Sequence, residues 1–184
     1  MKIKSFEQFL NEFENNTNHK GNKSNKINEV GDRPYPVTWE KQGDNLYGKF
    51  YLDDIEFNIR MTPLWDDTGN DIKIYQFKFS RGKDGMEAFG DFKYNFKVFS
   101  TIKMGLYYCM DIINPDILVF STSDHNRARK EIYKTAATYL LTRYHYYNAK
   151  NNSNPQISNM FSDELFCVYR NEEVINQALS MSSL

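Results

Sequence analysis

Cysteine and histidine are scarce in this chain. Its two cysteines, Cys109 and Cys167, form no Cys-x-x-Cys pair, and its three histidines, His19, His125 and His145, stand far apart. Scattered ligands of this kind exclude a zinc site of the usual clustered spacing. Each cysteine lies inside an apolar pattern, "YYCMDII" and "LFCVY". The expectation is two buried free thiols, which suits a reducing compartment. Charge of one sign is also missing. A net charge of −1 gives no global field to recruit nucleic acid or an anionic membrane. No apolar run approaches the roughly 20 residues that a bilayer span needs. The first residues carry no apolar signal-peptide core. A protein with no membrane partner, not secreted by a signal peptide, is therefore expected. Aromatic residues are plentiful: 13 Tyr and 14 Phe among 184 residues supply the bulk for a substantial core.

Residues 1–14 are expected to hold an amphipathic helix, with its pattern in "KSFEQFLNEFE". Ser5 and Gln8 stand at capping-box spacing, and Phe6, Phe9, Leu10 and Phe13 fall on one stripe. A helix this short is marginal alone in water, so the stripe calls for a protein partner. Residues 15–32 are polar, nearly devoid of apolar side chains, and read as a flexible linker. The folded domain is expected over 33–184.

Within that domain "VTWEKQ" reads as a strand, and "LYGKFYLDDIEFNIRM" as a hairpin turning at Asp53-Asp54. Its second arm alternates, with Ile55, Phe57, Ile59 and Met61 on one face and Glu56, Asn58 and Arg60 on the other. In "IKIYQFKFS" the apolar phase changes between Ile74 and Tyr75, which predicts either two covered faces or a bulge. "RGKDGMEAFGDFKYN" is a glycine-bearing loop. "FKVFSTIKMGLYYCMDII" predicts a helix with Val98, Ile102, Leu106, Cys109 and Ile113 on one face. Gly105 there implies close packing against a neighbour, and Asn114-Pro115 ends the helix. "ILVF" does not alternate, as expected of a strand covered on both faces in a parallel crossover. A helix from about Arg127 to Tyr147 follows, with Ala128, Ile132, Ala136 and Leu140 on its core rail. "KNNSNPQISN" reads as a loop, "ELFCVYR" as a last strand and "NEEVINQAL" as a short helix capped by Asn171. The fold class predicted is α/β (α+β): a mixed, mainly antiparallel sheet with helices packed on it.

This order, with the run from Ile117 to Tyr133, resembles the C-terminal half of the GNAT acetyltransferase superfamily. "NRARKEIY" places Asn126, Ile132 and Tyr133 where family members carry an asparagine and, seven residues on, a Leu-Tyr or Ile-Tyr pair. The family's alanine three after the asparagine is Arg129 here. The resemblance implies acetyl-CoA as cofactor, Asn126 against its pantetheine arm and Tyr133 as general acid toward the departing thiolate. The family's pyrophosphate loop, Gln/Arg-x-x-Gly-x-Gly/Ala, is approximated only by Arg81, Gly82 and Gly85. Roughly ten residues separate them from the predicted helix, and bulky "KYNFKVFS" stands where amides should cradle phosphate. The alternative reading makes Asp124 or Asn126 an N-cap and Tyr133 a core-edge tyrosine with a hydrogen-bonded hydroxyl. Arg127, Arg129, Lys130, Lys134 and Arg143 read as a solvated basic face rather than a nucleic-acid groove. Tyr144 to Tyr147 read as helix-end packing or an interface anchor.

"MKIKSFEQFLNE" resembles the N-terminal targeting helices of proteins packaged into the heads of large tailed phages. Leu10-Asn11-Glu12 and Ile27-Asn28-Glu29 match the small-apolar-x-Glu pattern cut by the maturation protease of such phages. The resemblance implies processing at Glu12 or Glu29, with phage head proteins as partners. An ordinary N-terminal interaction helix fits the same residues. The reading favoured is a phage-encoded, virion-associated, non-catalytic binding or structural protein with a GNAT-like domain and no cofactor, found in the virion or host cytoplasm. The rivals are an acetyl-CoA-dependent N-acetyltransferase and an intracellular effector that binds a host protein or nucleic acid.

Overall fold

In the computed structural model, residues 34–64, 72–82, 96–121, 127–159 and 165–182 are described. The alternating arm becomes β3 (Ile55–Pro63), antiparallel to β2 (Asn45–Leu52) and to β4 (Ile74–Arg81), while β1 (Thr38–Gln42) pairs with β2. The β2–β3 turn is the expected Asp53-Asp54. Asp53 adopts φ +52°, a left-handed position that a short polar side chain tolerates. Helix α1 (Phe96–Ile113) and β5 (Ile117–Ser121) come next. Helix α2 (Arg127–Arg143), β6 (Tyr147–Asn148), a 3-10 turn (Ala149–Asn151), α3 (Pro155–Asn159), β7 (Leu165–Tyr169) and α4 (Glu172–Ser182) complete the order. The seven strands form one sheet, β1-β2-β3-β4-β5-β7-β6. Every neighbouring pair is antiparallel except β4–β5. It is a mixed, mainly antiparallel sheet with helices packed on it.

One face of the sheet carries the larger core. Phe57, Ile59, Met61, Phe77, Leu118 and Phe120 meet Val98, Ile102 and Leu106 of α1 and Ala136 and Leu140 of α2 there. The β1–β3 end of the other face is polar, with Arg60 and Lys78 exposed. Toward β5 and β7 that face is covered too. Ile117, Val119 and Cys167 pack with Ile157 of α3 and Ile175 and Ala178 of α4. The phase change in β4 has the same cause. Ile74 belongs to the second core and Tyr75 to the first, and the register runs unbroken from Ile74↔Ile117 to Phe77↔Phe120. Two covered faces, and not a bulge, explain the pattern. Asn171 caps α4 as expected, its Oδ1 accepting from the Val174 amide at 2.9 Å.

Two expectations are corrected. The second long helix stops at Arg143, not Tyr147. His145 takes φ +57°, which a helix cannot continue through. Tyr146 turns inward, its hydroxyl donating to the Pro115 carbonyl, and Tyr147 and Asn148 pair with Tyr169 and Val168 of β7. The segment read as a plain loop, "KNNSNPQISN", holds the 3-10 turn and α3. There Asn154 caps the Gln156 amide at 2.9 Å, and Pro155 occupies the first helical position, where a missing N–H costs nothing.

Candidate functional site

Of the site residues singled out by sequence, Tyr133, Arg81 and Gly82 are described, near the end of the parallel pair. β4 and β5 are in register as far as Phe77↔Phe120; β5 ends at Ser121 while β4 runs on to Arg81. The Gln76 side chain donates to Ser121 Oγ at 2.6 Å, holding the strands together on the second face. On the first face the Tyr133 ring, delivered by α2, lies edge-on to Phe79 (centroids 5.0 Å, 68°) and tilted to Phe120 (5.5 Å). Only 1% of Tyr133 is exposed. Alternation along β4 puts Arg81 on the same face, two residues past Phe79, and it is half-buried. Gly82 follows in the left-handed region at φ +84°. Its amide donates to the Glu56 carbonyl at 2.8 Å, and its carbonyl accepts from Asn58 Nδ2 at 3.2 Å. Tyr133, Arg81 and Gly82 thus lie at one end of the sheet. Asn126 and Gly85 fall outside the described residues. So do Phe6, Phe9, Leu10, Phe13, Glu12 and Glu29, and the loop over 83–95.

A polar cluster beneath Gly82 was not singled out by sequence. Glu56, 8% exposed, accepts from Tyr51 Oη (2.9 Å) and Asn58 Nδ2 (3.1 Å), and pairs with Lys49 Nζ at 3.1 Å. The hydrogen bond from Asn58, then those from Tyr51 and Lys49, hold its carboxyl below the usual range against the opposing effect of burial. A turn fixed at Asp53-Asp54 sets Tyr51 opposite Glu56 and Lys49 opposite Asn58, so the cluster follows from the register once the turn is located. A depressed folded-state pKa contributes stability that is present above the unfolded carboxylate value and lost as pH falls through the folded one. Glu56→Gln should therefore flatten the acid side of the stability profile, from about pH 4.3 downward. Thermal unfolding midpoints against pH measure this, and a profile with an unchanged acid limb would refute it.

A concentration of aromatic and cationic side chains lies across α1 and α2. The Arg143 guanidinium stands 5.0 Å over the Tyr107 ring and 5.7 Å from that of Tyr144, and Lys103 Nζ lies 4.2 Å over Tyr139. The Tyr144 hydroxyl donates to Asp111 Oδ1 at 2.9 Å. Burial and the Asp111 charge push that hydroxyl far above the ordinary tyrosine value, and burial raises Tyr107 to about 12. Both phenols stay protonated at neutral pH. Tyr139 is 38% exposed, and aromatic rings with cations across them are the residue types that anchor protein interfaces.

Cys109 and Cys167 are free and buried. Burial pushes the Cys109 thiol well above its ordinary value and the Cys167 thiol to about 12. A thiol held protonated is a poor nucleophile. In the native protein neither thiol should react with an aromatic disulfide reagent, and both should react once denaturant is added. A fast native reaction would contradict the packing. Among the described residues no group of three or more His, Cys, Asp or Glu could hold a metal ion, and no helix is long and apolar enough to cross a membrane. Compared with known proteins, the chain matches no protein-family model and no curated protein.

Proposed function

We propose that this is a phage-encoded, virion-associated protein whose GNAT-like domain binds other proteins and does not transfer acetyl groups. The observation that carries the non-catalytic part is the burial of Tyr133, 1% exposed between Phe79 and Phe120. A general acid must meet the departing atom, and this ring is occupied with core packing. The Gly82 amide supports the same reading. Bonded to the Glu56 carbonyl, it is turned into the sheet and not toward a pyrophosphate. Element order and the parallel crossover into β5 agree with the GNAT-like reading of the domain. Binding is assigned to the N-terminal Phe stripe, toward a phage head protein, and to the aromatic and cationic surface of α1 and α2. The virion assignment rests on the targeting-like N-terminus and the two Glu-ended tripeptides. Mass spectrometry of purified particles tests it: the chain should be found with a mature N-terminus at Val30 or Phe13, and its absence from particles would overturn the assignment.

One observation favours a second reading, an acetyl-CoA-dependent N-acetyltransferase. The end of β4 outruns β5 beside the candidate residues Arg81 and Tyr133. Acetyl-CoA at a hundred times its dissociation constant would add about 2.7 kcal/mol to stability. A flat thermal profile at millimolar cofactor would retire the enzyme.

A further inference from the structure

The second face of the sheet carries, over β1–β4, side chains that the fold does not use. Helices α1 and α2 pack on the first face, and the core under α3 and α4 takes only Ile74 from these four strands. Register sets Glu40 opposite Tyr47, Tyr47 opposite Arg60 and Arg60 opposite Lys78, so one row crosses all four strands. Arg60 and Lys78 are exposed, and among the described residues neither side chain makes an ion pair or a hydrogen bond. Like charges directly opposite on neighbouring strands cost stability, and an anion above them relieves that cost. The acids of this face are engaged elsewhere. Glu56 is held by Lys49, Tyr51 and Asn58, and Glu40, two strands from Arg60, accepts from the Gln42 side chain. Two tyrosines stand on this face of β2, on either side of Lys49. Tyr47 is half-buried. Tyr51 is 53% exposed, and its hydroxyl is fixed on Glu56.

We infer that this face binds single-stranded nucleic acid, with backbone phosphates over Arg60 and Lys78 and unpaired bases on the rings of Tyr47 and Tyr51. Cations beside phosphates supply a salt-dependent, sequence-independent attraction, and aromatic rings stack bases of any sequence. An acidic peptide would meet the two cations but make no use of the rings. In a duplex the bases stack on one another and offer no face to a tyrosine. A ring already held by its hydroxyl loses little freedom when a base settles on it. The acidic Asp53-Asp54 turn lies beyond Tyr51, which confines the phosphates to the Arg60–Lys78 row. A net charge of −1 adds no long-range attraction, so the affinity belongs in the range of non-specific binding, about 10⁻⁴–10⁻⁶ M. The surface is on the opposite side of the sheet from α1 and α2, and the inference holds whether or not a virion carries the chain.

Fluorescence anisotropy of a labelled oligothymidylate of about 15 nucleotides, titrated with the full chain at low salt, tests it. Binding should saturate, and should weaken roughly sevenfold when salt rises fourfold, the slope expected of two phosphate contacts on a single strand. Arg60→Glu combined with Lys78→Glu should lower the affinity roughly tenfold or more and remove the salt dependence, while the thermal midpoint stays because both positions are on the surface. Tyr51→Ala should weaken binding about fivefold or more, and Tyr51→Phe, which keeps the ring, should not. Lys134→Glu, exposed on α2, should change nothing. No binding at about 100 μM protein and low salt would overturn the inference, as would an affinity that survives the double charge reversal. Loss of binding in Lys134→Glu would overturn it in favour of the α1–α2 surface. Equal competition by a duplex of the same length, or by polyglutamate, would overturn it in favour of a partner recognised by charge alone.

Discussion

Ile117→Asp and Leu118→Asp should each abolish the cooperative thermal transition of this domain. The two residues are adjacent and point to opposite faces of β5, yet they are 2% and 0% exposed. Ile117 faces the layer built by α3 and α4, Leu118 the layer built by α1 and α2. Strands β4 and β7 occupy both edges, so neither side offers an aspartate a route to water. An unpaired buried carboxylate costs several kcal/mol after relaxation, against a total domain stability of about 5–15 kcal/mol. The control is Arg60→Asp, on the polar face of β3, where a surface change stays within about 0.5 kcal/mol. Circular dichroism melts of the three variants decide the matter. A folded protein from either β5 variant, with a melt close to that of the parent, would mean that one face of the strand is open.

That two-sided burial was legible in the sequence because it leaves a local mark: an apolar run without alternation in "ILVF", and a break of phase at Ile74-Tyr75. Helix α1 was legible to the residue for the same reason, its apolar face repeating along a stretch that ends at Asn114-Pro115. The end of α2 was not. Its apolar pattern continues through Tyr144, Tyr146 and Tyr147, and nothing local says that His145 takes a left-handed conformation. What stops the helix is distant: the Pro115 carbonyl that receives the Tyr146 hydroxyl, and the β7 edge that pairs with Tyr147 and Asn148. Short α3 escaped because its Asn-Pro start sits among other turn-forming residues.

The depth of Tyr133 was not legible in the sequence. The place of Tyr133 seven positions after Asn126 says nothing of how far the ring sinks. That depth is set by Phe79 and Phe120, residues from two strands more than ten positions upstream. The Glu56 cluster had the opposite history. Its residues were read as an outward polar face, and cross-strand register turned them into a fastening for Gly82.

The second large effect is expected at Gly48, with a sign that depends on Trp39. The two residues face each other across β1 and β2, and the indole lies over the glycine. A Cβ on Gly48 would meet three Trp39 ring atoms at 2.6, 2.7 and 2.9 Å. The ring is partly buried and packed on its helix side as well. Tyr108 of α1 packs on it at 4.7 Å between centroids, and a Cβ on Gly105 would stand 3.5 Å from its Cζ2. Gly48→Ala should cost about 2–3 kcal/mol by overpacking, and Gly48→Val more, although valine is the better strand former. Gly105→Ala should cost less. Its worst contact, 2.5 Å, is with Ile59 Cδ1, the end of an aliphatic chain, and alanine returns about 1 kcal/mol of helix propensity. With Trp39→Ala the obstruction at Gly48 is gone. Gly48 has no positive φ, so alanine fits its backbone and lowers only the entropy of the unfolded chain, a gain of about 0.4–1 kcal/mol. Gly48→Ala should then destabilise the parent and stabilise the Trp39→Ala variant, a coupling far outside the range for independent sites. Denaturant midpoints of the four proteins measure it. Additive costs would show that the indole does not lie between the glycine and the helix.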